Sequence, residues 1–339
     1  MGNGSCAARV FMALWAMLAM GLAVAAEAAP FAYVANEVSA TVSVIDTATN
    51  TVVGIPIPVG REPLGVAITP DGKHTYIANR GSGTVSVIDT ATNMVVATVA
   101  MGNVPFNVAV TRDGKHAYIA NIGSSNVSVI DTATNAVEPT VIMVGNYPVK
   151  VAFTPDGKHA YVTNNLSKNV SVIDMATNKA VATVAMGGSP EVVAVTPDGK
   201  HAYVAIPSAN NVSVIDTASN TVAATVGVGS HPRGVAVTPD GNRAYVTNAA
   251  SATVSVIGTA TNMVVATVPV GDSPFSVAVT PDGKHAYVTN NGSNNVSVID
   301  TASNTVAATV PVGSNPVGVG IVPPPPGELY GGGHGRGGK

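Results

Sequence analysis

The chain has 339 residues, of which 46% are hydrophobic and only 10% are charged, and its formal net charge is −3. This composition excludes an intrinsically disordered chain, and the weakly acidic balance gives no electrostatic reason to expect a nucleic-acid partner. Aromatic residues make up 4%, so the apolar character comes mainly from Val, Ala and Ile, which favour closely packed β-strands.

Residues 1–28 have the features of a secretory signal peptide. Arg9 precedes the apolar run VFMALWAMLAMGLAVAA, and small residues up to Ala25 or Ala28 offer cleavage sites. A retained membrane anchor is the alternative interpretation. Cys6, the only cysteine, lies before the apolar run, so we expect neither a lipid anchor nor a disulfide in the mature chain. We therefore expect an exported protein, periplasmic, extracellular or at the cell surface, with no membrane span after cleavage.

Residues 29–322 repeat one unit that contains four β-rich runs. In a late copy these runs are SVAVT, HAYVTN, VSVID and TVAATVPV, separated by the turns TPDG and TASN and by a polar loop. The last residue of the SVID motif recurs every 42 or 43 residues, at Asp46, Asp89, Asp131, Asp174, Asp216, Gly258 and Asp300. Four short strands at this period predict one blade of an all-β propeller for each unit.

The two ends of the repeat region complement each other. The region opens on FAYVAN, which is the second strand of a unit, and it closes on PVGVGIV, which is a first strand. We predict that Val317–Val322 pairs beside Tyr33–Asn36 and closes a seven-bladed β-propeller, with four antiparallel strands per blade and a 3+1 closing blade. Closure would remove the exposed sheet edges of an open array. Residues 323–339 (PPPPGELYGGGHGRGGK) are expected to form a disordered Pro/Gly-rich tail.

The motifs YVAN, YIAN and YVTN, followed by SVIDTATN and TPDGK, resemble the YVTN family of β-propeller repeats. The resemblance covers residues 31–322 and recurs in all seven units. It implies a secreted, periplasmic or cell-surface propeller of the kind found in YncE-like and surface-layer proteins. A WD40 propeller is not indicated, because the units lack Gly-His and Trp-Asp pairs.

The turns TPDGK and DTATN fall at one end of the ring, which we call the constant face. Its Asp residues are interpreted as turn residues that accept backbone N–H bonds. The His residues that follow Gly-Lys are interpreted as hairpin residues, because histidines in separate blades are too far apart to share a metal ion. They are His74, His116, His159, His201 and His285, with Arg243 at this position in the sixth blade.

The opposite end, the variable face, carries the candidate site. Here each innermost strand begins at a proline, and the residues after it line the mouth of the central channel. The predicted ligand-binding residues are Leu64, Phe106, Val149, Lys150, Glu191, Arg233, Phe275 and Val317. An apolar ring with a few charges is typical of a ligand pocket. Glu191 and Arg233 are expected to pair across the mouth, and the alternative is that they form only a surface ion pair.

No catalytic residue, metal site or cofactor is predicted, since the units carry no haem motif and no recognisable nucleophile arrangement. The sequence favours a non-enzymatic binding or interaction module, whose ligand could be a protein, a glycan or a small molecule. One alternative is a metal-dependent lactonase or lyase that uses Glu191, His231 and Asp272. Another is a structural element of a surface layer.

Overall fold

The computed structural model describes residues 31–101 and 104–323, which form 28 β-strands and one 3-10 turn at Pro207–Ala209. The predicted signal peptide and the tail beyond Pro323 lie outside the described residues. The strands in chain order are β1 (Phe31–Asn36), β2 (Thr41–Asp46), β3 (Thr51–Pro58), β4 (Pro63–Ile68), β5 (His74–Asn79), β6 (Thr84–Asp89), β7 (Met94–Ala100), β8 (Pro105–Val110), β9 (His116–Asn121), β10 (Asn126–Asp131), β11 (Ala136–Met143), β12 (Pro148–Phe153), β13 (His159–Asn164), β14 (Asn169–Asp174), β15 (Lys179–Ala185), β16 (Val193–Val195), β17 (His201–Ile206), β18 (Asn211–Asp216), β19 (Thr221–Gly227), β20 (Pro232–Val237), β21 (Arg243–Asn248), β22 (Thr253–Gly258), β23 (Met263–Pro269), β24 (Pro274–Val279), β25 (His285–Asn290), β26 (Asn295–Asp300), β27 (Thr305–Pro311) and β28 (Pro316–Ile321).

The strands form seven four-stranded antiparallel sheets, which confirms the seven-bladed propeller. Blade 1 has the order β28-β1-β2-β3, and blades 2 to 7 each contain four consecutive strands from β4 onwards. The 3+1 closure is therefore present, with Ala32 opposite Ile321 and Val34 opposite Val319. No helix among the described residues has the length and apolarity needed to cross a membrane.

Burial explains why the repeat is so apolar. The second strand of each blade is buried along almost its whole length, because neighbouring blades cover both faces of the sheet. One such core joins blade 7 to blade 1, with Tyr287 and Val298 packed together with Val34 and Ile45. The outermost strands, such as β19 and β27, are largely exposed.

Seven tyrosines connect each blade to the next one at the constant face. Each hydroxyl donates a hydrogen bond to the side chain of the Asn that ends the turn after the third strand of the following blade. The pairs are Tyr33–Asn93, Tyr76–Asn135, Tyr118–Asn178, Tyr161–Asn220, Tyr203–Asn262, Tyr245–Asn304 and Tyr287–Asn50. The last pair spans the closure, so the ring is joined by the same bond all the way round.

The turns of the constant face match their sequence interpretation. Asp89 accepts hydrogen bonds from the backbone N–H and the hydroxyl of Thr92, and Asp71 accepts one from the backbone N–H of Lys73. Gly72 adopts a φ of 72°, which the Pro-Asp-Gly turn requires. These carboxylates therefore stabilise the turns in which they lie.

Candidate functional site at the variable face

The mouth of the channel is built from seven innermost-strand entries. Each begins at a buried proline: Pro63, Pro105, Pro148, Pro190, Pro232, Pro274 and Pro316. At six entries the residue before the proline has a positive φ, and these residues are Glu62, Val104, Tyr147, His231, Ser273 and Asn315. Blade 5 departs from this rule, because its positive φ falls at Gly187 instead.

Blade 5 also differs in its strands. Its inner strand β16 has three residues, whereas the other six inner strands have six. Ile206 replaces the asparagine that ends the second strand elsewhere, and it contacts Gly188 at the position where Asn79 contacts Gly60 in blade 2. The entry of blade 5, which carries Glu191, is therefore irregular compared with the others.

The structure divides the predicted site residues into two groups. Leu64, Val149 and Val317 are 4%, 2% and 3% exposed, so they pack against neighbouring side chains and offer little surface to a ligand. The remaining five are partly exposed: Phe106, Lys150, Glu191, Arg233 and Phe275. The surface open to a ligand is therefore concentrated on blades 3 to 7.

Glycines in the innermost strands of blades 1, 2 and 6 let these strands approach the neighbouring blade closely. A Cβ on Gly65 would lie 2.7 Å from the backbone of Asn107, and one on Gly234 would lie 2.8 Å from the backbone of Phe275. Gly318 allows a still closer approach to the backbone of Leu64. The equivalent residues of blades 3, 4 and 5 are Asn107, Lys150 and Val192, whose side chains occupy this position.

A chain of polar contacts runs across blades 4 to 7. The Glu191 carboxylate lies 3.4 Å from a guanidinium nitrogen of Arg233, and its other oxygen accepts a hydrogen bond of 3.3 Å from the Asn165 side chain. The Arg233 guanidinium lies over the ring of Phe275, at 4.7 Å from its centroid. Burial raises the pKa of Glu191, and the charge of Arg233 opposes that shift. The predicted pairing of Glu191 with Arg233 is therefore present.

A second ion-pair group lies on blades 1 and 2. Arg80 contacts the Glu37 carboxylate at 3.0 Å and the Glu62 carboxylate at 2.8 Å. Arg80 was not among the predicted site residues, because it lies in the loop after the second strand of blade 2, away from the prolines used to locate the mouth. All five charged residues of these two groups therefore have ion-pair partners on this side of the protein.

Lys150 differs from these charges. It is partly buried on β12, and desolvation lowers its pKa to about 8. Among the described residues it has no ion-pair partner. On the neighbouring strand β8, the side-chain carbonyl oxygen of Asn107 is buried without a hydrogen-bond partner. Phe106 directly precedes Asn107, and Tyr147 lies three residues before Lys150. Their rings contact each other, with centroids 6.5 Å apart.

The residues of the enzymatic alternative are not gathered into one group. His231 and Asp272 are exposed, whereas Glu191 is bound to Asn165 and Arg233. Desolvation and the charge of Arg233 lower the pKa of His231. Within residues 31–101 and 104–323, the group of His and acidic side chains close enough to share an ion is a different one, on the constant face.

Comparisons with known proteins agree with the fold. Residues 98–243 match the family model of YNCE-like β-propellers, and residues 23–147 match that of seven-bladed propeller lactonases. The predicted resemblance to YncE-like propellers is thus confirmed. None of the curated proteins matches the sequence significantly.

Solved structures give the same result. A chain of Kuenenia stuttgartiensis hydrazine synthase is 29% identical with a TM-score of 0.74, and the match covers 80% of this chain and 92% of that one. A functionally unknown protein from Desulfotomaculum acetoxidans is 21% identical with a TM-score of 0.77, covering 87% and 99%. A Bacteroides fragilis protein provisionally described as a 6-phosphogluconolactonase is 19% identical with a TM-score of 0.71, covering 87% and 98%. At these last two identities the likeness concerns the fold alone.

Proposed function

We propose that the protein is an exported, non-enzymatic binding module that holds an anionic group of a ligand or partner at the variable face. The observation that supports this proposal is Lys150, a desolvated cation without a counter-charge among the described residues. Leaving a buried charge unpaired is costly, so a site that keeps one benefits from an anion supplied from outside.

The surroundings of Lys150 suggest the rest of the ligand. The unpartnered oxygen of Asn107 is buried, and it would accept a hydrogen bond from a hydroxyl or amide of a ligand that displaces the side chains covering it. Phe106 and Tyr147 provide an aromatic surface for an apolar or sugar-like face. A carboxylate-bearing molecule with hydroxyl groups fits this set, whether it is a free small molecule, an acidic glycan or part of a protein.

A thermal-shift panel of citrate, succinate and glucuronate tests this function. We expect at least one of these carboxylates to raise the melting temperature of the wild-type protein, and the Lys150→Met variant not to respond. Lys158→Met is the matched control, because Lys158 is an exposed turn residue of the same blade on the constant face. Equal responses of the two variants would contradict the proposal.

Export is tested separately. Residues 1–28 fused to a reporter enzyme that is active only outside the cytoplasm should produce activity. A fusion that lacks these residues should remain inactive, and activity from both or from neither would argue against the predicted signal peptide.

A lactone hydrolase is the second candidate function, and the match of residues 23–147 to the propeller lactonases favours it. In this case a screen of lactones in the presence of divalent metals would show turnover. That turnover should be lost in the Glu191→Ala or His231→Ala protein. The geometry supports lactone hydrolysis less well than ligand binding. His231 and Asp272 are exposed, and the Glu191 carboxylate already contacts Asn165 and Arg233.

A further inference from the structure

The junction between blades 3 and 4 departs from the repeat on the constant face. Arg112 takes the place of the turn proline, Phe153 that of Val or Ile, and Met175 that of the Thr after the SVID aspartate. These three residues come from different turns and strands, and the structure brings them to one cavity of about 560 Å³.

The contact made by the turn proline is missing from this junction. In other junctions the proline ring packs near the turn glycine of the next blade, as Pro70 does at 3.3 Å from the Cβ position of Gly114. At blade 4 nothing lies within 4 Å of the corresponding position on Gly157. Arg112 instead donates a hydrogen bond of 2.9 Å to the carbonyl of Pro155.

A cluster of three potential metal ligands lies at the edge of this cavity. His116 lines the cavity, and its Nε2 lies 3.1 Å from a carboxylate oxygen of Glu138. Asp131 is opposite His116 in the strand register. One ligand atom from each of these residues lies within 4.8 Å of the other two. Ligands around one Zn²⁺ ion, at about 2.0–2.2 Å from it, lie up to about 4 Å apart, so small side-chain rotations suffice.

Glu138 distinguishes this blade from the others. Blades 2, 4, 5 and 7 have the same His and Asp pair, at His74–Asp89, His159–Asp174, His201–Asp216 and His285–Asp300. The residue equivalent to Glu138 in blade 4 is Val181. The comparable cavity between blades 6 and 7, of about 610 Å³, has Arg243 where the histidine would be. Blade 3 thus combines the His and Asp pair with a third potential metal ligand, Glu138.

The hydrogen bonds of Asp131 leave one of its carboxylate oxygens available to a metal ion. The hydroxyl and the backbone N–H of Thr134 donate hydrogen bonds to this carboxylate. Both bonds use Oδ1, and Oδ2 has no hydrogen-bond partner among the described residues. All three side chains are partly buried, so a bound ion would be partly shielded from water while remaining reachable.

We propose that His116, Asp131 and Glu138 bind a divalent transition-metal ion, with Zn²⁺ as the best fit. One imidazole and two carboxylates form a donor set that Zn²⁺ accepts, and three protein ligands leave a fourth position open. That position lies beside the cavity lined by Tyr118, Phe153 and Met175, where water or a small donor ligand can occupy it. This site is independent of the binding proposed at the variable face.

Isothermal titration of the full chain with ZnCl₂ tests the site. We expect one Zn²⁺ per chain, and we expect His116→Ala and Glu138→Val to weaken the binding about 100-fold or more, since even indirect ligand partners cost 10–100-fold. Glu138→Val installs the residue type of blade 4 on an outer strand, so it should leave the fold intact. Circular dichroism without metal checks this point.

Two controls separate the site from other histidines. His159→Ala removes the same hairpin residue from blade 4, and His334→Ala removes the histidine of the tail; both variants should bind Zn²⁺ like the wild type. The visible spectrum of Co²⁺ added in place of Zn²⁺ should also be lost in Glu138→Val. A wild-type chain that binds no Zn²⁺, or variants at His116 and Glu138 that bind it unchanged, would overturn the proposal.

Discussion

The hydroxyl of Tyr287 donates a hydrogen bond of 2.5 Å to the side-chain oxygen of Asn50, although 237 residues separate the two along the chain. Tyr161 makes the same bond to Asn220, between two blades in the middle of the repeat. The closing junction is thus built like an internal one.

Tyr287→Phe and Tyr161→Phe should destabilise the protein by similar amounts, about 1 kcal/mol each, because each substitution removes one partly buried hydrogen bond to an asparagine. Urea denaturation of both variants and the wild type measures the effect. A silent Tyr287→Phe beside a costly Tyr161→Phe would mean that the ring is open in solution.

Deletion of Val317–Val322 should cause a large loss of stability and aggregation. Blade 1 would lose its innermost strand, and the faces of blades 7 and 2 that pack against it would be exposed. A chain that ends at Pro323 is the control, because it keeps the innermost strand of blade 1 and the contact of Pro323 near Gly72. We expect its melting temperature to match that of the full chain, and equal melting of both truncations would contradict the closure.

Alkaline pH should unfold the protein over a narrow range. Burial raises the pKa of Tyr33, Tyr76, Tyr118 and Tyr161 to about 12, compared with about 10 in an unfolded chain. Since the folded pKa is the higher one, this stabilisation is complete below pH 10 and is lost as the pH rises towards 12. Tyrosinate absorbance and circular dichroism, recorded together, should change at the same pH. Tyrosine ionisation near pH 10 with the sheet signal intact would contradict the prediction.

Lys150→Met should stabilise the protein without ligand at pH 7, by about 1 kcal/mol or more, because it removes a desolvated charge. The folded pKa of Lys150 is about 8, below that of an unfolded lysine. The penalty is therefore full below pH 8 and disappears as the pH approaches about 10.4. Urea denaturation at pH 7 and pH 9.5 measures the difference, with Lys158→Met as the control. A variant less stable than the wild type at pH 7 would show that Lys150 has a partner in the free protein.

The fold could be predicted from the sequence because one unit recurs seven times. Its four β-rich runs predicted a four-stranded blade, and the incomplete units at Phe31 and Ile321 predicted that the two ends share one blade. The hydrogen bonds of Asp71 and Asp89 lie within their own turns, so they could be predicted without knowledge of the ring.

The candidate site could be predicted only in part. The pairing of Glu191 with Arg233 could be predicted, because both residues follow equivalent prolines in adjacent blades. The burial of Leu64 and Val317 depends instead on how closely two inner strands approach, which Gly65 and Gly318 permit. That distance is a property of the assembled ring and not of any one unit.

Four residues near the constant face depart from the repeat in the sequence, and they are Arg112, Glu138, Phe153 and Met175. They lie up to 63 positions apart, and only the packing of blade 3 on blade 4 brings Arg112, Phe153 and Met175 to one cavity with Glu138 at its edge. A position-by-position comparison of the seven units would have marked these residues, but not their proximity.

The pairing of β1 with β28 also sets the order of events during biosynthesis. The first three strands leave the ribosome early, yet their partner is made some 280 residues later, so they must wait with one edge uncovered. Contacts of such high sequence separation form slowly, and an uncovered strand edge recruits other chains. A nascent chain of this architecture therefore gains from a holding chaperone until its last strand is released.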